Sequence, residues 1–288
     1  MSQPRIAAFA RVANGSVEPK RVISGQASKL GRSVHGIAYN PIRDEIVVPN
    51  ALADAILVFR ASARGDEPPI RIIQGACTQM VTPHAVSLDL ANNEILVSSM
   101  TARTVYVFPL NANGDVPPSR IIRGPKTKLG HTVGIGVDPT TNLMAVAGPR
   151  EILIFNRTDD GDVAPRAVIA GPSTGIGEEP WQIQMFEGKI FLAASNHIHQ
   201  NVYSEVTLKG TYKQIPEDPW NDPGLGFIGV WQITDKGDAP PLAKLGGPFS
   251  ELLHPTGLAI NPKNGEIYVS DSFRNGLFTY LVPDFFRR

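Results

Sequence analysis

The phrase "GDEPPIRIIQG" at 65–75 returns as "GDVPPSRIIRG" at 114–124 and as "GDVAPRAVIAG" at 161–171, with looser copies "GSVEPKRVISG" at 15–25 and "GDAPPLAKLGG" at 237–247. Counted from the first glycine, the copies start at 15, 65, 114, 161 and 237, in steps of 50, 49, 47 and 76. A fixed period of this length confines the chain to a repeat architecture, because one unit of that size cannot bury its apolar face alone and must stack on its neighbours. The last step carries roughly 30 residues beyond the period, an insertion into one repeat.

A second phrase keeps phase with the first. It reads "HGIAYNPIRDEIVVPN" from His35, "HAVSLDLANNEILVSS" from His84, "VGIGVDPTTNLMAVAG" from Val133, "WQIQMFEGKIFLAAS" from Trp181 and "TGLAINPKNGEIYVSD" from Thr256. Each copy holds two alternating apolar segments split by Asn, Asp, Pro or Gly, the pattern of a hairpin. A third strand follows, "AILVFRA", "TVYVFPL", "EILIFNR", "FIGVWQI" or "GLFTYLV", and the proline-bearing phrase leads into a fourth. Four antiparallel strands per unit predict an all-β fold, a β-propeller of four-stranded blades, rather than a two-sheet sandwich, whose strands would not recur in so strict a cycle.

Five inner hairpins predict five blades, with strands A and B near 36–49, 85–98, 134–147, 182–194 and 257–270. The C-terminus lacks a fourth strand for the last blade, so "PKRVISG" at 19–25 is expected to supply it and close the ring with the N-terminal strands. Both "RIAAFAR" and "GLFTYLV" suit strand C of that blade, which leaves a sixth, irregular blade as the alternative.

Composition narrows the function. Lys plus Arg number 27, as do Asp plus Glu, so there is no basic field to favour nucleic acid or an anionic membrane. The single cysteine, Cys77, rules out an internal disulfide and is expected to be a small core residue. No signal-peptide layout and no long apolar run is present, so a cytoplasmic location is expected. At 288 residues and 42% hydrophobic content the chain can bury a large core, and 1–288 is expected to form a single propeller domain, its oligomeric state left open.

The repeats resemble NHL repeats, most closely in "HPTGLAINPKNGEIYVSDS" at 254–272. The resemblance implies a propeller related to gluconolactonase-like and strictosidine synthase-like groups, which include hydrolases, lyases and pure binding scaffolds. Gluconolactonase-like enzymes hold a hard divalent cation with acidic and amide ligands. Here only Asn50 and Asp271 suit that role at the end of strand B, where Ser99, Gly148 and Ala194 stand in the other blades.

Chemistry-bearing residues gather at the entry to strand A. Aligned on the glycine of "GIA", the preceding position holds His35, His84, Val133, Trp181 and Thr256, and two residues earlier stand Ser33, Thr82, His131, Glu179 and His254. Positions two apart on a strand share a face, so His35, His84, His131, Glu179 and His254 are expected to line one mouth of the ring. Imidazole ligates zinc, iron and copper as a neutral donor, which makes the four histidines a candidate site for a divalent transition metal, zinc, iron or copper. Glu179 is the candidate base, or a partner that orients a ligand.

The insertion "NHIHQNVYSEVTLKGTYKQIPEDPWNDPGLG" at 196–226 lies between strands B and C of the fourth blade and is expected to be a lid. Trp181, Asn50, Ser99, Asp271, His197, His199 and Trp220 complete the expected substrate-binding set. Zinc would favour hydrolysis or elimination, and iron would favour oxygen chemistry like that of four-histidine propellers resembling carotenoid oxygenases. The expectation is therefore a metal-dependent hydrolase or lyase acting on a small organic molecule. The alternative is a non-enzymatic scaffold that binds a protein or a small ligand.

Overall fold

The computed structural model describes residues 4–32, 34–177, 179–195 and 226–287. The expected lid at 196–226, with His197, His199 and Trp220, therefore lies outside the described residues except for Gly226. Two compact units divide the chain, Met1–Ile122 and Arg123–Arg288.

The first unit opens with β1 (Arg5–Ala8) and β2 (Arg21–Ser24), paired antiparallel in a two-stranded sheet. The first blade follows, β3 (Ala38–Asn40), β4 (Glu45–Asn50), β5 (Ala55–Arg60) and β6 (Arg71–Ile73), and then the second, β7 (Pro83–Asp89), β8 (Glu94–Ser99), β9 (Thr104–Pro109) and β10 (Arg120–Ile122). The second unit holds the third blade, β11 (Gly134–Asp138), β12 (Leu143–Gly148), β13 (Glu151–Asn156) and β14 (Ala167–Ala170). Its fourth blade is β15 (Glu179–Phe186), β16 (Lys189–Ser195), β17 (Phe227–Gln232) and β18 (Ala243–Leu245), and its fifth is β19 (Pro255–Asn261), β20 (Glu266–Asp271) and β21 (Gly276–Leu281). These five antiparallel blades make the fold class an all-β propeller.

Residues 19–25 form a strand as expected: β2 pairs with β1 along Arg5↔Ser24 to Ala8↔Arg21 in a two-stranded sheet, so "RIAAFAR" is the partner of this strand. Ile23 of β2 bridges Gly65 in the same way that Ile73 of β6 bridges Gly114 within this unit. The fifth blade has three strands among the described residues.

The middle strands of the second and third blades are largely apolar on both faces and buried on both, as a strand sandwiched between neighbouring sheets requires. In the first unit Val47, Ile56, Val58 and Ile73 pack with Val86, Ile95, Val97 and Phe108, joining the first two blades into one core. Ile6 and Ile23 of the two-stranded sheet pack on Val48, Leu57 and Phe59. In the second unit Phe191, Ile228 and Val230 meet Leu258, Ile267 and Val269, so the fourth blade seats on the fifth. Each complete burial of a side chain of this size contributes about 1.5–3 kcal/mol.

The Gly-Asp phrases, which read as plain turns in the sequence, do more. Asp66 Oδ1 accepts from Ala27 N at 2.6 Å, Asp115 from Cys77 N at 2.6 Å, Asp162 from Lys126 N at 2.8 Å and Asp238 from Ser173 N at 2.6 Å. In each case the carboxylate of one repeat caps the short turn that ends the repeat before it, a 3-10 turn at 76–78, 125–127 and 172–174. The turn begins at a glycine with positive φ, 115° at Gly25 and 137–138° at Gly75, Gly124 and Gly171, and a Cβ at Gly75 would stand 2.3 Å from Asp115 Cγ. No side chain but hydrogen fits there. Cys77 sits on one of these turns and is exposed, which corrects its expected place in the core. The charge of Asp115 beside it pushes the thiol pKa up, so it is a poor nucleophile at neutral pH.

Two partly buried ion pairs brace the first unit. Arg71 reaches Glu45 at 2.8 and 3.0 Å, and Arg120 reaches Glu94 at 2.7 and 2.8 Å, both bidentate and both linking strand B to strand D of one blade.

Candidate functional site

In a four-stranded antiparallel blade the entry to strand A and the exit from strand B lie at the same end, so that end of each blade carries the expected site residues. At the strand B exits the side chains hold the incoming backbone. Asn50 Nδ2 donates to Lys29 O at 2.7 Å, and Ser99 Oγ donates to Val81 O while accepting from Ala102 N at 3.2 Å. Asp271 does this most fully, with Oδ2 accepting from Leu253 N and His254 N at 2.7 Å each and Oδ1 from Phe273 N and Arg274 N at 3.0 Å each. Ser99, Asp271 and the amide nitrogen of Asn50 are thus committed to backbone partners at the positions expected to touch substrate, while Asn50 Oδ1 is buried without a hydrogen bond.

Strand A does not keep strict alternation at its entry. In β7, Pro83 faces Ser99 and Ala85 faces Ser98, so His84 is the extra residue of a β-bulge. Similar register shifts fall between Pro180 and Ile183 and between Pro255 and Gly257. A bulge breaks the rule that positions two apart share a face, and with it the expectation that both aligned positions line one ring.

Each unit brings together a grouping of its own. In the first, the His35 and His84 rings stack at 4.4 Å with planes 13° apart, His84 being buried. His35 is exposed over part of its surface, yet burial of its ring holds its pKa below the ordinary histidine value. In the second unit, His254 is only 1% exposed and lies between two partners. Its Nδ1 is 2.7 Å from Ser272 Oγ and its Nε2 is 3.2 Å from Glu179 Oε2. Phe273 stacks on the same imidazole at 4.7 Å, and Trp181 meets it edge-on at 5.9 Å. Trp181 Nε1 donates to Ser195 Oγ at 3.2 Å, which fixes the indole against strand B of its own blade. The Glu179 side chain keeps 20% of its surface exposed. His131 is exposed.

Within neither unit do the donors brought together fit the expected transition metal as they are placed. Imidazole lone pairs lie in the ring plane, so two rings stacked 13° from parallel send them side by side rather than onto one ion. Both nitrogens of His254 already have partners. Among the described residues, no group of three or more His, Cys, Asp or Glu side chains comes together as a metal cluster.

Sequence reasoning missed Ser272, Phe273 and Ser195. Ser272 and Phe273 directly follow Asp271 in the repeated phrase, so the position of Asp271 at the strand end was the available signal. The pairing of Glu179 with His254 left a trace as well, since both occupy the same aligned position in consecutive repeats.

Residues 252–277 match the family model of the NHL repeat. No curated protein matches the chain. Among solved structures, one match is the crystal structure of the computationally designed Ika8 protein, at 14% identity and a TM-score of 0.45. That match covers 86% of this chain and 62% of the designed one, so the chain spans less than two thirds of its length. No helix among the described residues is long and apolar enough to cross a membrane.

Proposed function

We propose that this NHL-like β-propeller is an enzyme of the lyase type, acting on a small, flat organic molecule held against Trp181: Glu179, partnered by His254, takes the proton from the carbon next to a carbonyl, and the electron pair left there forms a double bond as the neighbouring carbon releases its leaving group. The observation that carries the reading is the chain Ser272 Oγ to His254 Nδ1 and His254 Nε2 to Glu179 Oε2, at 2.7 and 3.2 Å, beside two aromatic rings. A carboxylate hydrogen-bonded to an imidazole can take a proton and share it, and the remaining exposure of Glu179 leaves it accessible to substrate. Trp181 supplies a flat apolar wall for an uncharged molecule.

Proton transfer is favoured over acyl transfer by the neighbouring backbone. Ser272, hydrogen-bonded to an imidazole backed by a carboxylate, has the outline of a serine nucleophile. Such chemistry also needs N–H donors to hold an oxyanion. The N–H groups of Leu253, His254, Phe273 and Arg274 all serve Asp271, and Ser272 N donates to His254 O at 3.1 Å.

The second reading, a binding scaffold without turnover, is favoured by that same saturation, which makes the Asp271 corner a finished structural joint. A deuterium-exchange assay separates the two. With 1-indanone and a panel of related aryl ketones in D2O, proton NMR follows exchange at the carbon next to the carbonyl. The enzyme reading expects exchange above the buffer rate that falls roughly 100-fold in Glu179→Gln, in line with the loss of a general base. Exchange unchanged in Glu179→Gln, or no exchange with any ketone, overturns it in favour of the scaffold.

A further inference from the structure

At the other end of the second unit's blades lies a cleft of about 450 Å³. Thr140 and Thr141 come from the A–B turn of the third blade, Phe186, Glu187 and Lys189 from that of the fourth, and Phe286 from the 3-10 turn Pro283–Phe286. This volume is in the range of small-molecule sites.

Two features set its chemistry. Its aromatic floor is fixed, since Phe286 stacks on Phe191 at 5.2 Å and 22° and meets Phe186 edge-on at 6.1 Å and 71°. Beside it, Lys189 Nζ donates to the carbonyl oxygens of Phe285, at 3.1 Å, and of Arg287. Those acceptors are neutral, so they orient the ammonium without cancelling its charge, and a Lys ammonium has a third donor to offer. Glu187 in the same wall works against a ligand of higher negative charge, and the guanidinium of Arg287, also in the lining, is paired with Asp284 at 2.9 Å. We infer that this cleft binds a small aromatic monocarboxylate, its ring on Phe186 and Phe286 and its carboxylate toward Lys189. The site is separate from the Glu179–His254 pair and does not depend on it.

Isothermal titration calorimetry of the full chain with phenylacetate tests the assignment, with 2-phenylethanol as the neutral analogue and acetate as the ringless one. Phenylacetate is expected to bind at least about tenfold more tightly than either, a gap of about 1.4 kcal/mol. Phe286→Ala should remove the binding. Because Phe286 also packs in the core, Gln232→Glu serves as the second variant: it is nearly isosteric and places a negative charge on the cleft wall. It should weaken phenylacetate severalfold and leave 2-phenylethanol unchanged. Glu179→Gln should bind phenylacetate as the wild type does. No binding of phenylacetate at millimolar concentration, equal binding of the neutral analogue, or indifference to Gln232→Glu would overturn the proposal.

Discussion

Replacing Gly75 with alanine should cost far more than a surface Gly-to-Ala change, and the cost can be worked from two contacts. Gly75 has φ 137° and ψ 176°, a region closed to L side chains, so alanine there stores about 1–3 kcal/mol of backbone strain. Its methyl would also stand 2.3 Å from Asp115 Cγ and must push the carboxylate away. That breaks the 2.6 Å bond from Cys77 N, worth about 1 kcal/mol at an exposed site. The sum for Gly75→Ala is roughly 2–4 kcal/mol, against about 1 kcal/mol for Asp115→Ala alone. The double variant should be no less stable than Gly75→Ala, because the first change has already displaced the carboxylate that the second removes. Urea unfolding followed by tryptophan fluorescence measures all three. If the two costs add to within about 0.5 kcal/mol, the glycine and the carboxylate do not meet and the reasoning is wrong.

Two further outcomes are expected. Glu94→Ala should destabilise by about 3 kcal/mol, since it leaves the Arg120 guanidinium, 18% exposed, without its bidentate partner; Glu94→Ala with Arg120→Met should recover most of that loss in the same unfolding assay. Elemental analysis after dialysis against a weak chelator should show the same metal content in the wild type and in His84→Ala, because the stacked His35 and His84 rings do not converge on an ion; near-stoichiometric metal lost in the variant would restore the sequence expectation.

The blade architecture was legible because its signals are local. Turn residues such as Asn93 and Asn142, both in the left-handed region, and the alternation on either side of them place the A–B hairpins within a few residues of where they fall. Long-range pairing was less legible. "RVISG" looks like any other strand D, and only its three-dimensional partner shows that it belongs with β1. The site suffered from a one-residue effect: the bulge at His84 changes no residue type, yet it removes the alternation on which a shared histidine ring depended. His254 and Glu179 survived as a pair because their meeting is between strands of adjacent blades. Glu179 reaches His254, with no third metal donor grouped with them among the described residues.

The repeated aspartates act backwards along the chain, and this gives assembly a direction. The latch on the turn after β2 is supplied 39 residues later by Asp66, that of Cys77 38 residues later by Asp115, and that of Lys126 36 residues later by Asp162. A ribosome adding about 5–20 residues per second therefore supplies each of these aspartates about 2–8 seconds after making its turn. Ser173 must wait 65 residues for Asp238, because the insertion in the fourth blade intervenes. During synthesis the end of the third blade stays unlatched for nearly twice as long as its predecessors. That interval makes it the step at which a holding chaperone, or a premature stop, would act on this chain most strongly.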